Sequence, residues 1–388
     1  MGLSVCMLVT DIDAATGGLQ KTSLHLLREL ARRGSKTFIC ARNYHARARN
    51  EVRDGIVIHR APVVSRSLSA LNSLVYLVDT LIWLTLNRKR YDLIHCQQMF
   101  GPAMVGLLAK RLLRKPVSVG LHMSGKELGE VAQVQRMPLA KLRLRQLRSV
   151  DRWVALSSAM KSEIHTLGVS PEQVVIIPNG AVVPAETAFD DVTRQRYRTA
   201  LCLTYQKIAV FSGRLSWEKG LDTLLYAWKR VNEHHPDAHL LILGEGGLSR
   251  NVESELRALH RQLGLEEVVH FLGHVSNVGD FLLASDLYVL PTRSEGLSCA
   301  LIEAMAAGTA IVTTNIPANL DLIEDGVSGS LVRPGDAEGL ADAITQTFDI
   351  PQQAKRFGRA AREKAERDLS VEAMAVQYSR LFSSLITV

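Results

Sequence analysis

Apolar runs of strand length alternate with amphipathic stretches along the chain. In the first half the runs are residues 4–9, 37–40, 56–61, 92–96, 117–122, 152–157 and 174–178. In the second half they are residues 208–213, 239–244, 268–273, 287–292, 310–314 and 329–332. Helical periodicity fills several of the gaps, as in residues 19–34, where Gly34 supplies a C-terminal stop. Strands alternating with helices predict parallel sheets covered on both faces, an α/β fold. Residues 178–197 hold two prolines and shift from apolar to polar. The expected architecture is therefore two doubly wound, Rossmann-like domains facing a central cleft: residues 1–185, a linker at 186–206, and residues 207–370. A helical stretch at 371–388 follows the last strand. In such sheets, ligands bind beyond the carboxyl ends of the strands.

Residues 68–86 form the most membrane-like stretch, yet it contains Asn72 and Asp79. A charge at a bilayer centre costs about 2.5–3.5 kcal/mol even on insertion-based scales. Leu68, Leu71, Leu74, Val75, Val78, Leu81 and Ile82 follow the helical period, so the prediction is a buried amphipathic helix. The 388 residues suit two or three domains, and 47% hydrophobic with 22% charged residues is ordinary for globular proteins. That composition excludes disordered, collagen-like and disulfide-scaffold classes. Five cysteines without a C-x-x-C pair read as reduced intracellular thiols and give no zinc signature. The apolar opening from Leu3 to Val9 is only strand length, so no secretory signal is expected.

Charge changes the picture. The net charge is +7, but residues 1–180 carry +14 and residues 181–388 carry −7. A basic half joined to an acidic half suggests different partners. The basic half includes Arg88, Lys89, Arg90, Arg111, Arg114, Lys115 and the series Arg136, Lys141, Arg143, Arg145, Arg148, Arg152. These are either solvated helix faces or an attraction to an anionic surface. No aromatic-studded basic strand accompanies them, so nucleic acid is not an expected partner.

The candidate chemistry lies at strand carboxyl ends. In residues 287–308 a strand ends at Pro291, a polar loop follows, and a helix starts near Ser298. Exposed amides at that helix start make an anion site, and Gly296 allows close backbone approach. Glu295 and Glu303 stand eight positions apart beside it. Carboxylates accept hydrogen bonds from paired hydroxyls, so this pattern suits a phosphate joining two polyols, the shape of a nucleotide-sugar. In residues 211–228, Arg214 and Lys219 share one strand-to-helix loop after Gly213, two cations suited to a diphosphate. Residues 241–256 hold a glycine-rich turn with Gly244 and Gly246 that does not fit G-x-G-x-x-G. Gly17 and Gly18 sit where the first strand hands over to the first helix, and His122 ends its strand.

The runs GRLSWEKGLDTLL, LGEGG and VLPTRSEGLSCALIEAMAAG, with the early Gly-Gly, resemble the retaining GT-B glycosyltransferases of glycosyltransferase family 4. The similarity covers nearly the whole chain and is densest over residues 208–335. The Glu295-x7-Glu303 spacing resembles that family's E-x7-E signature. The resemblance implies that Arg214 and Lys219 hold the donor diphosphate and stabilise the leaving nucleotide. It implies that Glu295 binds the donor sugar, with the Gly296 and Leu297 amides nearby, and that Glu303 binds the ribose. Gly17 and Gly18 would close over the phosphates, and His122 would touch the transferred sugar. Asn179, Gly213, Gly244, Gly246 and Ser298 fall among the donor-contacting positions. No divalent metal or other cofactor is implied, the first domain would bind the acceptor, and the C-terminal helix would cross back to it. Front-face attack is the mechanism implied; Asp11 and Asp13 are the alternatives for a nucleophile in the first half.

The chain departs from the family pattern at Thr309-Ala310 after Gly308, at Pro317-Ala318 ahead of Asp321, and at Met123 after His122. The expected function is transfer of a sugar from a UDP- or GDP-sugar to an anionic, lipid-linked or membrane-surface glycan. The setting expected is cytoplasmic or peripheral on the membrane's inner face. A nucleotide-sugar epimerase or hydrolase, or a non-catalytic sensor on the same fold, is the alternative.

Overall fold

A computed structural model describes residues 3–13, 18–63, 69–125, 129–246 and 251–386. The chain divides into two compact units, one of Met1–Gly180 with Val371–Val388 and one of Ala181–Ser370.

The first unit holds an eight-stranded sheet: β1 (Ser4–Leu8), β2 (Lys36–Arg42), β3 (Asn50–Arg53), β4 (Ile56–Ala61), β5 (Leu93–Cys96), β6 (Val117–Gly120), β7 (Arg152–Ala155) and β8 (Val174–Ile176). Their order is β3-β4-β2-β1-β5-β6-β7-β8, and only the β3–β4 pair is antiparallel. Its helices are α1 (Gly18–Arg32), α2 (Ser69–Leu86), α3 (Gly101–Leu113), α4 (Glu130–Arg136), α5 (Ala140–Leu147) and α6 (Ser158–His165). Every apolar run of the first half forms a strand. The hairpin strand β3 was not foreseen, because its polar, edge-exposed sequence NEVR carries no alternating apolar signal. Its turn is Asp54-Gly55, both at positive φ as a two-residue hairpin turn requires.

The second unit holds an all-parallel sheet of β9 (Lys207–Ser212), β10 (Ala238–Leu243), β11 (Val269–Gly273), β12 (Leu287–Leu290), β13 (Ala310–Thr314) and β14 (Ser330–Val332), ordered β11-β10-β9-β12-β13-β14. Its helices are α7 (Asp191–Ala200), α8 (Leu221–His234), α9 (Glu253–Gln262), α10 (Val278–Ala284), α11 (Cys299–Ala307), α12 (Pro317–Leu320), α13 (Ala337–Asp349) and α14 (Pro351–Asp368). Residues 186–206, expected as a linker, contribute α7 to this unit. Arg198 of α7 is buried and donates to the carbonyls of Ala284 at 2.9 Å and Gln206 at 3.1 Å. A buried guanidinium needs all such partners, so it fixes the segment in place.

The last helix, α15 (Val371–Ile386), packs in the first unit. Val371, Met374, Tyr378, Leu381 and Phe382 are buried against a core that includes Leu26, Leu27 and Leu30 of α1. Each such side chain removed from water contributes about 1.5–3 kcal/mol. His95 on β5 meets the ring of Tyr378 edge-on at 5.3 Å.

Helix α2 departs from expectation in its orientation. Leu71, Leu74, Val78 and Ile82, predicted to be buried, are exposed. The buried face instead carries Asn72, Tyr76, Thr80 and Leu84.

Both sheets reverse strand order at one place, between β1 and β5 in the first unit and between β9 and β12 in the second. The carboxyl ends of strands at such a switch point are where ligands bind.

Candidate functional site

The second unit's switch point is built by backbones in contact. The β9–α8 loop begins at Gly213, whose φ is +152°, and the β10–α9 loop begins at Gly244, whose φ is +130°. A Cβ on Gly244 would stand 1.9 Å from the Gly213 carbonyl oxygen, so only glycine permits the approach. Gly220, at φ +67°, lies against the β12–α11 loop in the same manner: a Cβ there would stand 2.1 Å from the Pro291 carbonyl oxygen. Arg293 ties these two loops together. It donates to the Trp217 carbonyl at 2.9 Å and to both oxygens of Asp222 at 2.8 and 2.7 Å, with its guanidinium over the Trp217 ring. Burial raises the Asp222 pKa and Arg293 outweighs it, holding the carboxyl below its usual value.

The charges sit on this frame. The Lys219 ammonium donates to the Glu295 carboxylate, and the two side chains are only 14% and 13% exposed. Lys219 reaches Glu295 across Gly213, whose Cβ would lie 3.6 Å from the Lys219 Cε. Glu303 projects from α11, and Tyr288 relates it to Glu295. The buried Tyr288 phenol, which donates to the Ser212 carbonyl, is pushed up first by burial and further by the charges of both glutamates. Arg214 is exposed at the rim of the β9–α8 loop. Ser298 caps α11 by accepting from the Leu301 amide at 3.3 Å. The Gly296 and Leu297 amides precede that cap, at the positive end of the helix dipole.

Lys219, Glu295, Glu303, Gly213, Gly244, Gly296, Leu297 and Ser298 are thus gathered at one strand edge, with Arg214 beside them. Gly246 has a different part. Its amide donates to Glu253 at 2.8 Å, so it braces the turn into α9. The Gly244 amide likewise donates to the Gly273 carbonyl at 2.7 Å. Both act through close backbone packing rather than as free donors.

In the first unit, His122 follows β6 and its Nε2 meets the Gln97 side chain, which follows β5. Burial holds the imidazole pKa below its usual value, so the ring is neutral. The loop carrying it is fixed by Glu130, a fully buried carboxylate at the start of α4. Glu130 accepts from the His122 amide at 2.8 Å and from the Met99 amide at 2.7 Å. Burial pushes its pKa up to about 7 against those donors. Asp13, a possible nucleophile by sequence, is taken up by the buried Arg60, which donates to it at 2.6 and 3.0 Å. Burial raises the Asp13 pKa, and Arg60 with Arg53 outweighs it, so the carboxyl stays below its usual value. Asp11 holds the His45 ring at 3.0 Å and the Asp13 amide at 2.9 Å. Both aspartates fix the described residues that follow β1, up to Asp13. Gly18 opens α1 and is exposed, Asn179 is buried after β8, and Gly17 lies outside the described residues.

Sequence reasoning missed Gln97, Glu130 and Arg293. Gln97 is adjacent to a predicted strand end and could have been found by the rule that found His122. Glu130 and Arg293 carry no such signal, since their partners are backbone groups or residues about 30 to 70 positions away. Among the described residues no group of three or more His, Cys, Asp or Glu side chains could hold a metal ion.

Two doubly wound, Rossmann-like domains of this kind are the architecture of the GT-B class of glycosyltransferases. Residues 16–183 match the model of glycosyltransferase family 4, and residues 196–364 match that of glycosyl transferases group 1. The chain belongs to this family of glycosyltransferases. It is 29% identical over 247 residues to glycogen synthase of Mycobacterium tuberculosis, a match spanning 61% of this chain and 57% of that protein. It is 23% identical over 384 residues to 2-deoxystreptamine N-acetyl-D-glucosaminyltransferase of Niallia circulans, spanning 95% and 98% of the two chains. Its fold is similar to that of Anabaena HepE in complex with UDP-glucose, with a TM-score of 0.79, 20% identity, and 98% of this chain and 100% of that chain covered.

Proposed function

We propose that this chain transfers a sugar from a nucleotide-diphosphate sugar to an acceptor hydroxyl, with retention of anomeric configuration. The Lys219–Glu295 pair at the second unit's switch point carries the reading. These opposite charges neutralise each other at the carboxyl edge of the second sheet. A diphosphate offers Lys219 a stronger partner than a carboxylate, and a sugar offers Glu295 hydroxyl donors. Both residues then exchange one partner for another without leaving a charge bare.

Lys219 and Arg214 stabilise the charge that grows on the leaving diphosphate as the glycosidic bond breaks. The Gly296 and Leu297 amides face that anion at the start of α11. Glu303 accepts from the ribose hydroxyls, and Glu295 from the sugar. In the front-face route the acceptor proton passes to the leaving phosphate oxygen. Neutral His122, held by Gln97, donates to or accepts from the transferred sugar without adding a third cation. The family resemblance assigns Gly17 and Gly18 to the phosphates and implies no metal. UDP-glucose bound to the similarly folded HepE supports a uridine nucleotide. The +14 charge of residues 1–180 supports an anionic or lipid-linked acceptor and a cytoplasmic, membrane-peripheral setting.

Thermal unfolding with UDP, UDP-glucose, GDP, ADP and nicotinamide dinucleotides tests the donor class. A uridine or guanosine diphosphate at 100 times its Kd should add about 2.7 kcal/mol of stability. Product mass after adding acceptor extracts then separates transfer from hydrolysis or epimerisation. A response to nicotinamide dinucleotides alone would refute the reading.

A further inference from the structure

Helix α2 is inside-out for a helix in water. Its five exposed aliphatic residues, Leu71, Leu74, Val78, Ile82 and Leu86, fall on one face over four turns, with Leu86 80% exposed and Leu74 57%. Asn72, Tyr76 and Thr80 turn inward. Tyr76 donates to the Val9 carbonyl at 3.3 Å, and Asp79 takes the His59 ring at 2.7 Å together with Arg49. The Thr80 hydroxyl is buried with no partner among the described residues. A water-facing helix selects the reverse pattern. An apolar strip of this kind marks a surface that meets something other than water.

The charge beside the strip says what that partner is. Asp79 is the only charged residue in α2, and it lies on the flank, already paired. Directly after α2 come Arg88, Lys89 and Arg90, all exposed. Helices α2 and α3 each return from the carboxyl edge of the same parallel sheet, so their last turns share one edge. The start of α3 lies beside the middle of α2, where a Cβ on Gly101 would lie 3.8 Å from the Tyr76 ring. Arg111, Leu112 and Arg114, exposed at the end of α3, therefore extend the cationic end of the strip. An uncharged face about 23 Å long by helical rise, aliphatic except for Thr85 and ending in clustered cations, matches a helix lying in a lipid–water interface with anionic headgroups at one end. No helix among the described residues is long and apolar enough to cross a membrane.

We propose that the exposed face of α2, with the cations following α2 and α3, docks the first unit onto an anionic bilayer surface. The docking rests on the reading that the acceptor is presented at a membrane, and it names the element that brings the chain there. The partner is the lipid surface itself, not a second protein.

Vesicle flotation of the full chain tests it, using phosphatidylcholine vesicles with and without phosphatidylglycerol. Wild type should partition at least about tenfold better onto the anionic vesicles and lose that preference in high salt. The triple substitution Leu74→Ser, Val78→Ser, Ile82→Ser should abolish flotation. So should Arg88→Gln, Lys89→Gln, Arg90→Gln at physiological salt. Both should keep the wild-type melting temperature and UDP response, since every changed side chain is exposed. No flotation of wild type, or equal flotation of either triple variant, overturns the docking. Concentration-dependent dimers that the serine triple abolishes overturn it in favour of self-association. A chain that floats without answering any nucleotide would fail the donor reading while retaining the docking.

Discussion

At the second unit's switch point, Lys219 and Glu295 hold each other and Arg214 is exposed beside them. At the first unit's switch point, Asp13 is locked to Arg60 and Glu130 to the amides of Met99 and His122. The same doubly wound edge carries charge in both. In the second unit the charges are reachable and can trade partners. In the first, Asp13 and Glu130 are buried with their partners, and beside Glu130 lie a buried, neutral Gln97 and a histidine held uncharged. Charge that binds ligand must be exchangeable, and charge that shapes a loop must not be. Burial and partner type separate the two uses.

Substitutions that break one side of this comparison should leave the other intact. The largest effect is expected at Lys219. Lys219→Ala removes the cation proposed to stabilise the leaving group and should lower kcat about 10²–10³-fold, with a smaller change in KM. Steady-state kinetics measures it, and wild-type turnover would move Lys219 out of the chemistry. On the other side, Glu130→Gln tests a scaffold. The Glu130 pKa is raised in the fold, so the stability tied to its protonated form is present in acid and lost as pH rises through about 7. At 1.36 kcal/mol per unit the full range is on the order of 3 kcal/mol. The stability difference between wild type and Glu130→Gln should therefore shrink or change sign between pH 5 and pH 8. A difference independent of pH, measured by chemical denaturation, would show that the carboxylate stays ionised throughout.

The strand pattern was legible because parallel sheets read as apolar runs, and every run noted in the sequence became a strand. The placement of Lys219, Glu295 and Glu303 at one strand edge was legible because strand, loop and helix lie contiguously around each. What the sequence concealed had its partner elsewhere. Glu130 is one acidic residue among many until its two amides are seen. Asp13 looked available because Arg60 is 47 positions away. The period of α2 gave the helix correctly and its orientation wrongly, because periodicity identifies an apolar face without saying what covers it. In α15 a comparable face is covered by α1, and in α2 Leu74, Val78 and Ile82 are left exposed.

Calorimetric titration of UDP-glucose into wild type and Glu303→Ala puts the donor site to its most direct test. One site per chain is predicted, with affinity about tenfold weaker when the α11 carboxylate is removed, in line with the loss of a charge-assisted hydrogen bond to a ribose hydroxyl. Identical affinity in the two proteins, or no binding of any nucleoside diphosphate to wild type, would contradict a nucleotide-sugar site at this strand edge.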